Sequence, residues 1–304
     1  MTGPGWTRRE LLQAGATLAS LPLAGLASEK HMNTRPIPAS GERLPVIGLG
    51  TYSVFDVDST TEQIAIRREI VNLLIGAGGS VIDTSPMYNR SERVIGDIVA
   101  SGAPREAMFL ATKVWTDGRD AGIEQMAKSA RLMNTDVIDL MQVHNLRDTA
   151  VHMRSIRELQ EQEKIRYSGL THYRAGAHDA LEKAVMEYRP QFLQINYSLG
   201  EREADQRLLP MAQDLGVGVI INRPYQAGGL FSAVRGHELP GWARDFAASW
   251  GQFFLKFIIS HPAVTCVIPA TSKPHHMRDN LEAGFGELPD ANSRARMVAF
   301  IREL

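Results

Sequence analysis

The chain has 304 residues, and its 33 lysines and arginines nearly balance 34 aspartates and glutamates, for a formal net charge of −1. A charge this close to neutral argues against nucleic acid as a partner, because nucleic acid selects a basic surface. The contents of 44% hydrophobic and 22% charged residues are those of an ordinary soluble globular protein. A single cysteine, Cys266, excludes an intramolecular disulfide.

The N-terminal segment has the features of an export signal. The pair Arg8-Arg9 precedes a weakly apolar stretch, residues 14–27, that ends in small residues. This order resembles a twin-arginine signal peptide, read by the twin-arginine export machinery. We expect no stable membrane insertion, because a bilayer span needs ~20 strongly apolar residues. Residues 1–27 are therefore expected to be the signal and residues 28–304 the periplasmic protein; the alternative is a disordered tail on a cytoplasmic protein.

Eight short apolar runs recur along the rest of the chain. They lack polar alternation, which is typical of strands buried on both faces. Helical patterns lie between them, and a turn-like pair, Ser40-Gly41, before the first run predicts a hairpin that closes one end of the fold. The runs are Val46–Leu49, Val81–Asp83, Met108–Ala111, Val137–Met141, Tyr167–Leu170, Phe192–Ile195, Val217–Ile221 and Val264–Ile268.

The helical patterns complete a repeating strand-then-helix order. Ser91 opens one helix, another carries apolar residues at Ile66, Ile70, Leu73 and Leu74, and a third runs from Ala204 to Leu215 before Gly216. Eight such units without a linker predict a single-domain α/β protein, a closed (β/α)8 TIM barrel. The alternative, a doubly wound sheet, usually begins with G-x-G-x-x-G. Here Ser53 stands in place of the third glycine.

Three consecutive predicted strands end in residues that complement one another chemically. They end in Asp83, Lys113 and His144, and Tyr88 follows the first of them. The active site of such a barrel lies at these strand ends. An adjacent ammonium is expected to lower the pKa of a tyrosine, a carboxylate keeps that ammonium charged, and a histidine can hydrogen-bond a carbonyl oxygen. The set therefore predicts a general acid for carbonyl reduction.

The segments around these residues resemble the aldo-keto reductase family. The resemblance is carried by "DTSPMY", "ATKVW", "LMQVHN", "LPVIGLGTY" and "IPATSKPHHMRDNLEA". It implies an enzyme that reduces a small-molecule carbonyl with a nicotinamide cofactor. It implies that Tyr88 is the general acid, Lys113 the partner that lowers its pKa, Asp83 the partner of Lys113, and His144 the group that orients the carbonyl. The implied substrate pocket contains Tyr52, Trp115 and Asn145.

The same resemblance assigns residues to the nicotinamide. Gln194 matches the family's carboxamide-binding glutamine, and Thr171-His172 stand where members often have Ser-Asn. Asn222 occupies the position of the aromatic residue that stacks on the nicotinamide. Arg223 and Tyr225 are the candidates to replace that aromatic; the alternative is that these polar residues cap the strand end.

A second group of residues is implied to bind the cofactor phosphate. Hydroxyl and N–H groups before a helix suit an anion. Ala270 and His276 stand where some members have a lysine and an arginine for the 2′-phosphate. NADP(H) is nevertheless the expected cofactor, with NAD(H) as the alternative. The implied residues are Thr271, Ser272, Lys273, Arg278 and Asn280.

Other classes of function fit the sequence less well. The family includes cofactor-binding regulatory modules, subunits of ion channels, that turn over slowly; a pull-down of a membrane partner would favour that alternative. A hydrolase would need a second carboxylate or a metal, and no metal-ligating cluster stands out: His275 and His276 are adjacent, so they point in different directions. We expect a monomer with a short segment after Asn280, an open pocket and broad aldehyde specificity.

Overall fold

The computed structural model describes residues 31–304, and the expected export signal lies outside them. It opens with an antiparallel pair, β1 (Thr34–Pro36) and β2 (Arg43–Pro45), so the predicted hairpin is confirmed. Eight strands of one sheet follow, each at or beside one of the predicted apolar runs. They are β3 (Leu49–Gly50), β4 (Val81–Asp83), β5 (Phe109–Val114), β6 (Ile138–His144), β7 (Ile165–Thr171), β8 (Phe192–Asn196), β9 (Gly218–Asn222) and β10 (Val264–Val267).

The eight strands form a closed parallel barrel. Each strand from β3 to β10 pairs with the next one in sequence, and every pairing is parallel. The first and last strands meet through two parallel bridges, Ile47 with Val267 and Gly50 with Ala270. The predicted (β/α)8 TIM barrel is therefore confirmed, and all carboxyl ends of its strands meet on one face.

Helices follow the strands and cover the outside of the barrel. The predicted helices around Ile70 and Ser91 are confirmed, whereas the third begins only at Leu208, because Ala204 lies in a separate 3-10 turn. Their bounds are α1 (Thr61–Gly76), α2 (Ser91–Ala100), α3 (Arg119–Leu132), α4 (Thr149–Glu161), α5 (His178–Tyr188), α6 (Leu208–Asp214), α7 (Gly229–Ala233), α8 (Trp250–Ile259), α9 (Pro274–Glu282) and α10 (Ala291–Arg302).

The hairpin closes the end of the barrel opposite the strand carboxyl ends. Its Ile37 and Leu44 are buried in one apolar cluster with Phe109, Tyr167 and Phe192 from the barrel interior. The rings of Phe109 and Tyr167 stack with centroids 5.9 Å apart. This plug excludes water from that end, so the barrel opens only toward the face where the candidate catalytic residues lie.

Within residues 31–304, no helix combines the length and the apolar character needed to span a bilayer. The same range contains no group of three histidine, cysteine, aspartate or glutamate side chains arranged to bind a metal ion.

Candidate active site

A buried ion pair lies at the centre of the open face. The Lys113 Nζ, from β5, donates to Asp83 Oδ2 at 2.7 Å and to the Thr84 carbonyl at 2.6 Å. The side chains of Lys113 and Asp83 are only 1% and 3% exposed. A charge pair removed from water needs its remaining hydrogen-bonding positions filled. The pairing predicted from the order of strand ends is therefore present.

Two amides complete the environment of the Asp83 carboxylate. Its Oδ1 accepts from Gln194 Nε2 at 2.7 Å and from Gln142 Nε2 at 3.1 Å. Sequence reasoning missed Gln142. The sequence feature that could have identified it is a polar residue within the apolar strand β6. It stands two positions before His144, which places both side chains on the same inward face. Donors on both oxygens fix the carboxylate in the position that Lys113 requires.

Tyr88 is placed by the turn that follows β4. Its N–H donates to the Ser85 carbonyl at 2.9 Å, which folds the loop back over the strand end. The Lys113 Nζ then lies 4.9 Å from the centre of the Tyr88 ring. Burial raises the pKa of Tyr88, while the charge of Lys113 opposes that rise. The net direction is opposite to the predicted lowering, because burial outweighs the ammonium.

Lys113 keeps its charge in this setting. Burial acts to lower the pKa of Lys113, but its interactions with Asp83 and Tyr88 outweigh burial and the pKa is raised. At neutral pH the site thus holds a protonated phenol beside an ammonium. A general acid needs this state, a proton to give and a neighbouring cation that stabilises the anion left behind.

His144 is neutral, and its Nδ1 is within hydrogen-bonding distance of Ser85. Burial, followed by the charges of Lys113 and His172, lowers the pKa of His144 to about 3. Its Nδ1 lies 3.3 Å from Ser85 Oγ, and that oxygen already accepts from the Met87 N–H at 3.2 Å. The Ser85 proton is then available to Nδ1, an arrangement that favours the imidazole proton on Nε2. Sequence reasoning also missed Ser85, although it lies within "DTSPMY".

One cavity of about 640 Å³ brings these residues together. Asp83, Tyr88, Lys113 and His144 all line it. The cavity is also lined by the three residues predicted for the substrate pocket, Tyr52, Trp115 and Asn145.

Only some of the residues assigned to the nicotinamide line the cavity. Thr171 and Gln194 line the cavity together with Asn222, whereas His172 does not. The Gln194 Oε1 accepts from Thr171 Oγ1 at 3.1 Å and from Asn222 Nδ2 at 3.4 Å. Gln194 therefore already bonds protein groups at both ends of its amide. His172 instead accepts the Arg174 N–H on its Nδ1, at 3.2 Å.

The loop after β9 forms another part of the wall. Arg223 and Tyr225 line the cavity, and Arg223, Gln226 and Ala227 all have positive φ angles, of 51°, 52° and 53°. Non-glycine residues adopt this region rarely, and such strain concentrates at functional sites. Tyr225 Oη donates to Asn280 Oδ1 at 2.6 Å, which ties the loop to α9.

The residues assigned to the phosphate lie directly before α9 or within it, and none of them lines the cavity. The Lys273 N–H donates to Thr271 Oγ1 at 3.1 Å, and the Lys273 side chain is exposed. Ser272 lies between them. Arg278 is paired with Glu69 of α1 at 2.9 Å, so its charge is already partly balanced.

The chain beyond Asn280 leaves the mouth of the cavity clear. It forms α10, whose Arg294 donates to the Phe257 carbonyl and to Ser260 Oγ. Among residues 31–304, none beyond Ala270 lines the cavity.

Comparison with known proteins agrees with this geometry. The sequence model of the aldo/keto reductase family matches residues 46–295. A methylglyoxal reductase of Escherichia coli (strain K12) is 29% identical over 262 residues, covering 82% of this chain and 89% of that protein. A glyoxal reductase of Bacillus subtilis (strain 168) is 26% identical over 250 residues, covering 80% of this chain and 84% of that protein.

A solved structure shares the fold. The crystal structure of an aldo-keto reductase from Klebsiella pneumoniae in complex with NADPH superposes with a TM-score of 0.75 and 25% sequence identity. The match covers 90% of this chain and 95% of the Klebsiella chain.

The low pKa of His144 predicts a pH dependence of stability. Its ordinary pKa is 6.5 and its folded pKa is about 3. Between these values the unfolded chain binds the extra proton. The free energy of unfolding should therefore fall as the pH drops from 6.5 toward 3, by up to roughly 1.4 kcal/mol per pH unit from this group.

Denaturant unfolding of the wild type and His144→Gln across this pH range measures that contribution. The free energy of unfolding of the wild type minus that of His144→Gln should decrease as the pH falls, because only the wild type loses the contribution of neutral His144. His237→Gln, at an exposed histidine, is the matched control and should follow the wild type. A constant difference between wild type and His144→Gln would contradict a neutral, buried His144.

Proposed function

The chain belongs to the aldo/keto reductase family, and we propose that it reduces aldehydes and ketones to alcohols with NADP(H), using Tyr88 as the general acid. The observation that carries this proposal is the position of Lys113. Its ammonium is buried, bonded to Asp83 and set against the ring of Tyr88 in the wall of a cavity. That arrangement stabilises a phenolate, the form that Tyr88 takes after it gives up its proton.

The residues of the cavity fit a nicotinamide. Asn222 Oδ1 and Asn145 Oδ1 are buried acceptors without a hydrogen-bond partner, and both residues line the cavity. Buried polar atoms are rarely left unpaired, so a ligand that donates N–H groups suits them. When bound, the reduced cofactor supplies a hydride to the carbonyl carbon and is oxidised to NADP⁺.

The protein supplies the proton and the orientation. Tyr88 gives its hydroxyl proton to the carbonyl oxygen, and the Lys113 ammonium stabilises the phenolate that remains. Neutral His144, with its proton on Nε2, donates a hydrogen bond to the same oxygen as negative charge develops there. Asp83 keeps Lys113 charged and in place. Hydride and proton together convert the carbonyl into an alcohol.

The preference for NADP(H) rests on two supports. The Klebsiella relative was solved with NADPH. In this chain the exposed Lys273 ammonium follows two hydroxyl residues, Thr271 and Ser272, directly before α9. A helix start with nearby N–H and hydroxyl groups favours an anion, and a lysine adds charge.

Replacement of the proton donor should abolish most turnover. Tyr88→Phe should lower kcat by ~10²–10⁴-fold, because it removes the general acid and keeps the ring. NADPH affinity, measured by fluorescence titration, should change little. Lys113→Met should lower kcat comparably, although it also leaves Asp83 buried without its partner, so thermal unfolding must accompany it. Full activity in Tyr88→Phe would refute the mechanism.

Cofactor preference should depend on Lys273. Lys273→Ala should weaken NADPH binding by roughly ten- to a hundredfold, the value of one charge-assisted hydrogen bond. NADH binding should hardly change, since NADH lacks the 2′-phosphate. Arg278→Ala is the comparison variant, and should have the smaller effect because Glu69 already pairs with Arg278. Equal losses for both cofactors, or a wild type that prefers NADH, would contradict this role.

We also propose that the protein acts outside the cytoplasm. The proposal is supported by the order of the Arg8-Arg9 pair, the weakly apolar stretch and the small residues after it. Changing both arginines to lysine should leave active protein in the cytoplasm. Cell fractionation measures this, and a wild type found entirely in the cytoplasm would show that the segment is not an export signal.

A further inference from the structure

The first turn of α2 contains a buried carboxyl group that the proposed mechanism does not use. Glu92 is only 2% exposed, and its Oε1 accepts a hydrogen bond from Thr112 Oγ1 at 2.6 Å. Burial raises the pKa of Glu92, although the hydrogen bond from Thr112 opposes that rise. A carboxyl group in this position therefore costs free energy that an apolar side chain would not cost.

Apolar residues already hold α2 against the barrel. Val94, Ile95 and Ile98 are each no more than 1% exposed and belong to the main apolar core. A leucine in place of Glu92 would add to this packing without the cost of burying a polar group. Packing alone therefore does not account for Glu92, and the role of its side chain depends on what its bond to Thr112 holds in place.

Thr112 lies on the strand that carries Lys113. The two residues are consecutive in β5, so their side chains point to opposite faces of the strand. Lys113 points into the barrel, where it bonds Asp83, and Thr112 points outward to α2. The bond between Glu92 and Thr112 therefore joins α2 to the part of the strand that places the catalytic ammonium.

The same end of α2 also holds the backbone of Tyr88. Ser91, fully buried at the start of the helix, donates to the Tyr88 carbonyl from its N–H at 3.1 Å and from its Oγ at 2.8 Å. Tyr88 itself lies outside the helices and strands. The consecutive residues Ser91 and Glu92 thus connect Tyr88 to β5, the strand on which Lys113 lies.

We infer that Glu92 is a positioning residue, which keeps the ring of Tyr88 4.9 Å from the Lys113 Nζ. It does so through its bond to Thr112, which fixes the start of α2 on β5. The distance matters because the attraction between an ammonium and a phenolate falls as they separate. The effect on catalysis rests on the proposed function, whereas the placement of Tyr88 can be measured without turnover.

Reduction of benzaldehyde with NADPH, measured across pH, tests the effect on catalysis. Thr112→Val removes the donor hydroxyl, keeps the shape of the side chain and should lower kcat by about tenfold to a hundredfold, the cost of a ~1 Å misplacement. Glu92→Leu should lower kcat by a similar factor, and the double variant by no more, because both changes remove one bond. Glu92→Gln and Thr112→Ser keep an acceptor and a donor, and should retain most of kcat. A Thr112→Val variant with the kcat of the wild type would overturn the inference.

The position of Tyr88 can be measured without a substrate. A pH titration followed by NMR of tyrosines labelled at Cζ gives the pKa of Tyr88, whose signal is identified by its loss in Tyr88→Phe. This pKa should be higher in Thr112→Val than in the wild type, because a more distant Lys113 opposes the effect of burial less. If the rise is found but the wild type reduces no aldehyde, the proposed function is wrong and the positioning role stands. An unchanged pKa would refute the positioning role, whether or not aldehydes are reduced.

Asp139→Asn separates a positioning role from a general loss of stability. Asp139 is also a buried carboxyl group, 5% exposed, and it accepts from Arg105 near the opposite end of the barrel. This variant should lower the melting temperature but leave kcat and the pKa of Tyr88 unchanged. If it lowered kcat and raised that pKa as much as Thr112→Val does, the role of Glu92 would be structural only and the inference would be wrong.

Discussion

The buried ion pair between Lys113 and Asp83 is the interaction on which the site depends. Two charges removed from water are unfavourable unless each keeps close partners. Here the barrel supplies those partners, because Gln142 and Gln194 donate to the carboxylate and the Thr84 carbonyl accepts from the ammonium. Lys113 lies in β5, Gln142 in β6 and Gln194 in β8, and closure of the barrel brings all three to the carboxylate at the end of β4.

The ion pair also influences the protonation of its neighbours. The charge of Lys113 opposes the rise that burial causes in the pKa of Tyr88, and it adds to the fall in the pKa of His144. One ammonium thus eases proton loss from the phenol and disfavours a charged imidazole. The resulting state, a protonated phenol beside a neutral histidine, suits proton donation to a carbonyl oxygen.

Part of this site was readable from the sequence because strand ends in a barrel share one face. Once eight apolar runs predicted the barrel, Asp83, Lys113 and His144 had to lie near one another. Gln142 and Ser85 were not found, since a single polar residue in a strand or turn usually has only a structural role. What distinguishes them is a partner distant in sequence: each bonds a group 59 positions away.

The sequence by itself determined the fold class, the closing hairpin and the four residues proposed for catalysis, because periodicity and strand-end position depend on local chain order. The tertiary structure alone decided the net direction of the Tyr88 pKa, the protein bonds at both ends of the Gln194 amide, and the exposure of Tyr52, Met87, Tyr173 and Phe231 at the cavity. Burial and exposure depend on what packs against a side chain in three dimensions. A residue's chemical type and its sequence neighbours do not contain that information.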